Sequence, residues 1–234
     1  MADKIPLVLL PAFMATRVLW EPQIDALADV ADITVVDLTA YDTVPKMASA
    51  VLERSPDRFA LAGLSLGAFT AFEILRRAPE RVTRLALVST TARADAPERL
   101  AARKTQIEAV EAGRFDEIVE GFLKVLQPPG HPWSNEVLDR VRQMVYEAGT
   151  ECFLRQQNAL KTRIDSREIL ASISCPTVVV HGRDDQSWPF EHGEELAQLI
   201  PGARLAVIDN AGHFPTLSRP EETTAALRAW LEED

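Results

Sequence analysis

The chain has 234 residues, of which 47% are hydrophobic, enough to bury one sizeable core. Its formal net charge of -10 and a pI near 5.0 argue against nucleic acid or an anionic membrane as a partner. Cys152 and Cys175 are too few for a disulfide framework in a chain of this length, so we expect two buried, reduced thiols.

The N-terminal segment contains a short apolar run, Leu7–Leu10, between Pro6 and Pro11. This run is too short for the core of a signal peptide and far too short to span a bilayer, and no small-residue cleavage site follows it. We therefore expect a cytoplasmic protein.

Short apolar runs, each followed by a helical stretch, recur along the chain. Continuous apolar runs are typical of strands covered on both faces, and strands that alternate with helices predict a mostly parallel, doubly wound sheet. The predicted strands are Leu7–Leu10, Ile33–Asp37, Phe59–Leu64, Leu85–Ser89, Thr177–His181 and Leu205–Ile208.

Two helices of the predicted sheet domain have clear sequence signals. After Ser65, apolar residues recur at i, i+3, i+4 and i+7 from Ala68 to Leu75, which is one stripe of a helix. The last helix is predicted to open at Ser218-Arg219-Pro220-Glu221, a capping-box pattern with proline in the first turn.

Between Ser89 and Thr177 the sequence contains no convincing strand, only helical segments separated by glycine and proline. We therefore predict a sheet-containing core from residues 1–92 and 173–234, with residues 93–172 inserted between two strands as a helical cap, or lid. The predicted cap segments are Pro97–Ala112, Phe115–Leu126, Asn135–Ala148, Glu151–Lys161 and a short one near Arg167–Ser172.

The segment Gly63-Leu64-Ser65-Leu66-Gly67 is a G-x-S-x-G motif between a predicted strand and a predicted helix. A nucleophilic serine in this motif needs a sharp strand-to-helix turn that exposes its hydroxyl above the sheet. The flanking glycines remove Cβ atoms that would collide in that turn. Ser65 is therefore the candidate nucleophile.

A serine hydroxyl needs a base within hydrogen-bond reach, and the chain has four histidines. His213 lies in a loop between the last strand and the last helix, at the same sheet edge as Ser65, and is the candidate base. His131 falls in a proline-bounded turn, His192 near the start of a predicted helix, and His181 at the end of a strand, where we expect it to be packed or hydrogen-bonded.

A third residue should orient the imidazole and stabilise its protonated form. Asp184 and Asp185 both follow the strand Thr177–His181 at that edge, and the chemistry alone does not choose between them. With either aspartate, the order along the chain is Ser, Asp, His, as expected for a nucleophile-elbow hydrolase.

These motifs together resemble the α/β-hydrolase superfamily, in particular its capped bacterial esterase and C–C hydrolase-like branch. The resemblance rests on Gly63–Gly67, on His181–Asp185 with Pro189 beyond, and on Asn210–His213, and it covers nearly the whole chain. In that family the acid stands three positions after the loop glycine and four before a proline, which here implies Asp185.

The chain departs from the family pattern near its N-terminus. Where the family commonly has His-Gly-x-Gly, this chain has Pro11-Ala12-Phe13-Met14. The resemblance implies that the backbone N–H groups of Phe13 and Leu66 form the oxyanion hole. No sequence precedes Leu7–Leu10 to form the family's opening hairpin, so we expect about six strands, all parallel.

The expected function is hydrolysis of a small, rather apolar carboxylic ester or lactone through an acyl-enzyme on Ser65. Residues near the predicted site suggest an apolar substrate pocket, although each aromatic residue of the cap could equally belong to the core. The pocket candidates are Phe13, Met14, Leu66 and Trp188 from the core, and Phe122, Trp133 and Phe153 from the cap.

Two alternatives stay open: a C–C bond hydrolase or triad-using lyase of the same fold, and a non-catalytic ligand receptor. The first would need a cationic group in the pocket, for which Arg103, Arg140 and Arg155 are available, but helical arginines are usually solvated. We expect no metal and no cofactor, because the histidines lack ligand-like spacing and no phosphate-binding loop is present. The sequence does not reveal the oligomeric state.

Overall fold

Six strands form one parallel sheet in the computed structural model, which describes residues 4–233. The strand order is β2-β1-β3-β4-β5-β6, and all five pairings are parallel. This confirms the predicted fold class. The strands are β1 Ile5–Leu10, β2 Ala31–Val35, β3 Phe59–Leu64, β4 Val82–Val88, β5 Thr177–Gly182 and β6 Arg204–Ile208.

The strand bounds differ from prediction at the edge strand β2, which begins two residues before the predicted Ile33 and ends two residues before the predicted Asp37. β2 pairs only with β1, from Ile5 opposite Ala31, and its residues alternate between more and less buried instead of being continuously covered. β4 begins at Val82, three residues before the predicted Leu85. The prediction missed these residues because the polar pair Thr83-Arg84 interrupts the apolar run, although their backbone already pairs with β3.

Helices cover both faces of the sheet. On one face Val8 and Leu61 pack with Met47 and Phe72, and on the other Leu9 and Ala62 pack in a cluster that includes Trp230. The sheet core is therefore doubly wound. Its helices are α1 Glu21–Leu27, α2 Val44–Arg54, α3 Leu66–Arg77, α8 Glu191–Leu199, α9 Pro215–Ser218 and α10 Pro220–Leu231.

The capping box predicted at Ser218 is wrong. Ser218 ends the short helix α9, and its hydroxyl donates a 3.0 Å hydrogen bond to the carbonyl of Phe214. Arg219 occupies the N-cap position of α10 without a side-chain cap, and Pro220 is the first helical residue. The serine is unavailable as a cap because an extra helical turn begins at Pro215 and includes it.

Four helices lie between β4 and β5, and we call α4–α7 the helical insertion. The predicted helix break at Gly149 is confirmed, because this glycine has the non-helical angles φ 74° and ψ 177° and separates α6 into two helical stretches joined by a kink. Among residues 4–233, no helix combines the length and the apolar character needed to cross a membrane. The helices of the insertion are α4 Pro97–Glu111, α5 Phe115–Leu126, α6 Asn135–Thr162 and α7 Arg167–Leu170.

Both cysteines are free thiols, as predicted, but they are not equally buried. Cys152 on α6 is fully buried, and burial raises the pKa of its thiol to about 12. Cys175, just before β5, is only partly buried, and burial also raises its pKa. Cys152 is therefore a neutral core side chain at ordinary pH.

Candidate active site

Ser65 lies at the turn between β3 and α3 in a strained backbone conformation, with φ 52° and ψ -105°. Its flanking glycines are required by close backbone contacts. A Cβ on Gly67 would lie 2.2 Å from the carbonyl oxygen of Leu10, and one on Gly63 would lie 2.5 Å from the carbonyl carbon of Gly67. The motif therefore forms the sharp turn that a nucleophilic serine of this fold needs.

His213 lies in the loop between β6 and α9 and is almost completely buried. Its Nδ1 is 2.8 Å from Oδ2 of Asp185, and its ring stacks on Phe214 with the ring centroids 5.5 Å apart. Asp184 makes no hydrogen bond to the imidazole and instead donates its backbone N–H to the carbonyl of Ala211. Of the two candidate acids, the structure brings Asp185 to His213.

The Asp185 carboxylate is held in one orientation from both sides. Its Oδ1 accepts the backbone N–H groups of Ser187, at 2.7 Å, and Trp188, at 3.1 Å, which leaves Oδ2 for His213. Burial acts to raise the pKa of Asp185, but the charge and hydrogen bond of His213 and the nearby His181 outweigh it and lower the pKa below its usual value. Asp185 is therefore ionised at neutral pH.

The other three histidines lie outside this arrangement of serine, histidine and aspartate. His181 is buried with its Nε2 3.7 Å from Oδ2 of Asp185, and Nε2 donates a 2.8 Å hydrogen bond to the carbonyl of Trp188, while burial lowers the pKa of His181. His192 on α8 contacts the hydroxyl of Thr91, and His131 is exposed on the helical insertion. The predicted packing of His181 agrees with this position.

Ser65 and His213 line the same cavity but do not form a hydrogen bond with each other. The Ser65 hydroxyl instead accepts a long hydrogen bond of 3.4 Å from the indole Nε1–H of Trp188. Hydrogen bonds between catalytic groups are often long in unliganded enzymes and tighten when substrate binds.

The loop after β1 places Phe13 beside Ser65 at the cavity wall. Met14 has a φ of 57°, and its backbone N–H donates a 2.7 Å bond to Oε1 of Gln156, a fully buried side chain of α6. Within residues 4–233 the N–H groups of Phe13 and Leu66 have no acceptor, so both are free to bind an oxyanion. No sequence pattern pointed to Gln156, which is 142 positions from Met14 along the chain.

The cavity above Ser65 has a volume of about 370 Å³ and is walled mainly by aromatic and aliphatic side chains. Phe13 contacts Phe122 and Phe153 edge-to-face, with ring centroids 5.6 and 5.5 Å apart. Met14 and Trp188 also line the cavity. Of the aromatic residues expected there, Trp133 does not line it and stacks on Phe214 instead.

Residues 7–227 match the model of the Alpha/beta hydrolase family. The chain belongs to this family. It is 28% identical to a pimeloyl-[acyl-carrier protein] methyl ester esterase of Nitrosomonas europaea, over 95% of this chain and 94% of the relative. It is 31% identical to the enzyme of the same name from Chromobacterium violaceum, over 86% and 84% of the two chains.

A solved structure agrees with the sequence relatives. A thermophilic esterase from Thermogutta terrifontis, described with malate bound, superposes with a TM-score of 0.88 and is 29% identical, covering 98% of this chain and 90% of its own. These findings confirm the resemblance seen in the sequence motifs. Ester hydrolysis is the activity that the names of these relatives support.

One wall of the cavity in this alpha/beta hydrolase is polar, and it includes Arg103, one of the three arginines considered as a pocket cation. Arg99 and Arg103, both on α4, line it together with Gln106 and Gln157. We expected Arg103 to be solvated, but it is buried and its Nε donates a 2.5 Å bond to Asp95. The burial of Arg103 could not be predicted from an apolar stripe, because most residues of α4 are polar and the helix has no clear apolar face.

The helical insertion is bonded directly to the loops that carry the candidate acid and base. The backbone N–H of His213 donates a 3.0 Å bond to the carbonyl of Leu126 at the end of α5. The side chain of Gln186, next to Asp185, donates to the carbonyl of Gln127 at 2.9 Å. A Cβ on Gly212 would lie 2.4 Å from that same Leu126 oxygen, so the two segments are in close contact.

Proposed function

We propose that this alpha/beta hydrolase is a serine esterase that cleaves a small, rather apolar carboxylic ester or lactone through an acyl-enzyme on Ser65. The observation that carries the proposal is the 2.8 Å contact between His213 Nδ1 and Asp185 Oδ2, made in the same cavity as a strained serine. A base oriented by a carboxylate beside a strained nucleophile is the arrangement that acyl transfer requires.

In the proposed acylation step, Oγ of Ser65 attacks the ester carbonyl carbon while its proton passes to Nε2 of His213. The carbonyl oxygen becomes an oxyanion, and the tetrahedral intermediate collapses as His213 returns the proton to the leaving alcohol. Water then attacks the acyl-enzyme with His213 again as base, which releases the acid and restores the Ser65 hydroxyl.

Asp185 supports this cycle electrostatically. Its lowered pKa keeps it ionised, so its negative charge stabilises the imidazolium that forms on His213 in each half of the reaction. Because Asp185 Oδ1 is fixed by two backbone N–H groups, the imidazole is held with Nδ1 as donor and Nε2 as acceptor.

The oxyanion is proposed to bind the backbone N–H groups of Phe13 and Leu66. Both lack an intramolecular acceptor within the described chain, which supports this assignment. Each such donor contributes about 3 kcal/mol to transition-state stabilisation. The Gln156 side chain supports the hole indirectly, since its bond to the Met14 N–H fixes the loop on which Phe13 lies.

We further propose that residues 93–172 act as a cap over the site and that the apolar part of the substrate lies against them. The aromatic contacts of Phe13 with Phe122 and Phe153 form an apolar wall from both core and insertion. The cavity volume of about 370 Å³ suits a small molecule. The names of the curated relatives support a methyl ester as one candidate for the scissile group.

The test is hydrolysis of p-nitrophenyl esters from acetate to decanoate by wild type, Ser65→Ala and Ser49→Ala. Ser49 lies on α2 and bonds Arg77 on the surface, so it serves as a matched serine control. We expect wild type and Ser49→Ala to turn over the esters with a burst of one nitrophenol per enzyme. Ser65→Ala should be inactive, and ester turnover by that variant at the wild-type rate would refute the proposal.

A C–C bond hydrolase is a second candidate, because such enzymes need a cation in the pocket and Arg99 and Arg103 line this one. Turnover of a keto-dienoate without turnover of any simple ester would favour this alternative over the esterase.

A further inference from the structure

The polar wall of the cavity contains an arginine without a carboxylate partner. The guanidinium carbon of Arg99 is 3.9 Å from the ring centroid of Trp188, and its Nη2 donates a 2.7 Å bond to the carbonyl of Ser187. Within residues 4–233 no carboxylate lies within salt-bridge distance of Arg99. Its Nε and Nη1 donors are therefore free on a side chain that lines the cavity.

A second arginine adds positive charge to the same wall. Arg103 also lines the cavity, with Nε bonded to Asp95 at 2.5 Å and Nη1 bonded to Gln157 at 3.0 Å. Asp95 is shared, because its other oxygen accepts a 2.6 Å bond from the buried Arg163. Two guanidinium groups, those of Arg103 and Arg163, therefore share the single carboxylate of Asp95. Arg99 adds a further positive charge that no salt bridge in the described part of the chain neutralises.

The one carboxylate among the described lining residues, Glu117, does not neutralise this charge. Glu117 on α5 also lines the cavity, but its side chain is 67% exposed and lies 3.4 Å from Arg114, its partner on the surface. Burial lowers the pKa of Arg99, although the nearby Asp95 acts to raise it. A partly desolvated cation with free donors gains most from a ligand that brings its own negative charge.

The cation is also close to the candidate nucleophile. The indole of Trp188 lies between the two groups: Arg99 stacks on its face, and its Nε1–H donates to the Ser65 hydroxyl at 3.4 Å. One indole ring therefore separates the guanidinium from Ser65. An ester bound at Ser65 would reach Arg99 with a group only a few carbon atoms from the scissile carbonyl.

We propose that Arg99, supported by Arg103, is a carboxylate-binding subsite, and that the natural substrate is an ester that also carries a free carboxylate. This rests on the serine esterase function proposed above and narrows its substrate class. A guanidinium presents parallel N–H donors that match the two oxygens of a carboxylate, and such charge-assisted pairs are strong and directional. The substrate would then be a half-ester of a dicarboxylic acid or an acyl ester of a hydroxy acid.

The first experiment compares monomethyl adipate with dimethyl adipate, which differ in one charge. It uses wild type, Arg99→Gln, Arg99→Lys and the control Arg142→Gln, an arginine of the insertion paired with surface carboxylates of Glu120 and Asp139. We expect Arg99→Gln to lower the kcat/KM ratio of monoester to diester about 10- to 100-fold, mainly through KM. Arg99→Lys should restore part of the ratio, and Arg142→Gln should retain the wild-type value.

A second substrate pair places the carboxylate on the alcohol instead, as 4-acetoxybutyrate against its methyl ester. The pair whose ratio responds to Arg99→Gln identifies the half of the substrate that carries the charge. If both ratios were the same in wild type and Arg99→Gln while esters were still hydrolysed through Ser65, the subsite would be refuted and the esterase function would stand.

A binding measurement separates the subsite from catalysis. Titration of adipate into the Ser65→Ala protein by calorimetry should show saturable binding that weakens about 10- to 100-fold when Arg99→Gln is added. If no ester were turned over, the esterase proposal would fail, but this titration would still decide the subsite. Equal adipate affinity of the single and double variants would overturn it.

Discussion

Replacing Asp185 by asparagine should lower kcat strongly by changing the tautomer of His213. The amide oxygen must take the Oδ1 position, because two backbone N–H groups, of Ser187 and Trp188, point at it. The amide NH₂ is then forced into the Oδ2 position, 2.8 Å from Nδ1 of the imidazole. Since a donor now faces Nδ1, the ring proton moves to Nε2, and that nitrogen can no longer accept the proton of Ser65.

The expected magnitude follows from the loss of the base and of the charge beside the imidazolium. In a Ser-His-Asp serine protease, the same Asp-to-Asn change lowers kcat by about 10⁴-fold. We expect a loss of roughly 10³- to 10⁴-fold here, which corresponds to about 4 to 5.5 kcal/mol of activation free energy. KM should change little, because Asp185 is buried behind His213 and does not line the cavity.

The assay is steady-state hydrolysis of p-nitrophenyl butyrate, with thermal unfolding measured on the same samples. Asp184→Asn is the matched control, because it removes the adjacent charge from a side chain that makes no bond to His213. The reasoning would be refuted if Asp185→Asn stayed within tenfold of the wild-type kcat, or if Asp184→Asn caused the larger loss.

Two further predictions concern the support of the site. Gly67→Ala places a Cβ 2.2 Å from the Leu10 oxygen and should lower the free energy of unfolding by about 1 to 3 kcal/mol or more, measured in urea. Gly121→Ala, on a helix with open space, should be neutral or stabilising, and an equal loss in both variants would contradict the steric cause. Gln156→Leu leaves the buried Met14 N–H without its acceptor and should cost about 1 to 3 kcal/mol in stability and lower kcat; an unchanged kcat would argue against its support of the oxyanion loop.

The parts of the site that the sequence predicted are those set by local spacing. The G-x-S-x-G motif fixes a turn through contacts within a few residues, so Ser65 could be placed from the strand before it and the helix after it. Asp185 and His213 follow strands whose carboxyl ends share one edge of a parallel sheet. The choice of Asp185 over Asp184 needed the family resemblance, since both aspartates follow the same strand.

The parts that the sequence did not predict depend on contacts between distant segments. Arg103 looks like a solvated helix residue, and only the packing of α4 against Gln157 of α6 turns it toward the cavity. The role of Gln156 could not be predicted either, because its hydrogen-bond partner Met14 lies 142 positions earlier in the sequence. The segment that starts at Ser218 has the residue types of a capping box, but the Ser218 hydroxyl bonds the carbonyl of Phe214 in the preceding helical turn and does not cap α10.

The hydrogen bond from the His213 backbone to the Leu126 carbonyl limits which helical insertions could be exchanged between relatives of this fold. A chimera that carried the insertion of another family member would have to place a carbonyl at the end of its second helix at the same point, or His213, the proposed base, would lose this hydrogen bond. Gly212 further restricts which insertions would fit, because the backbone of the insertion passes so close to Gly212 that a Cβ there would lie 2.4 Å from the Leu126 oxygen. If His213 is the base and the insertion lines the substrate site, as proposed, then recombination at the boundaries of the insertion would disturb both substrate preference and the position of His213.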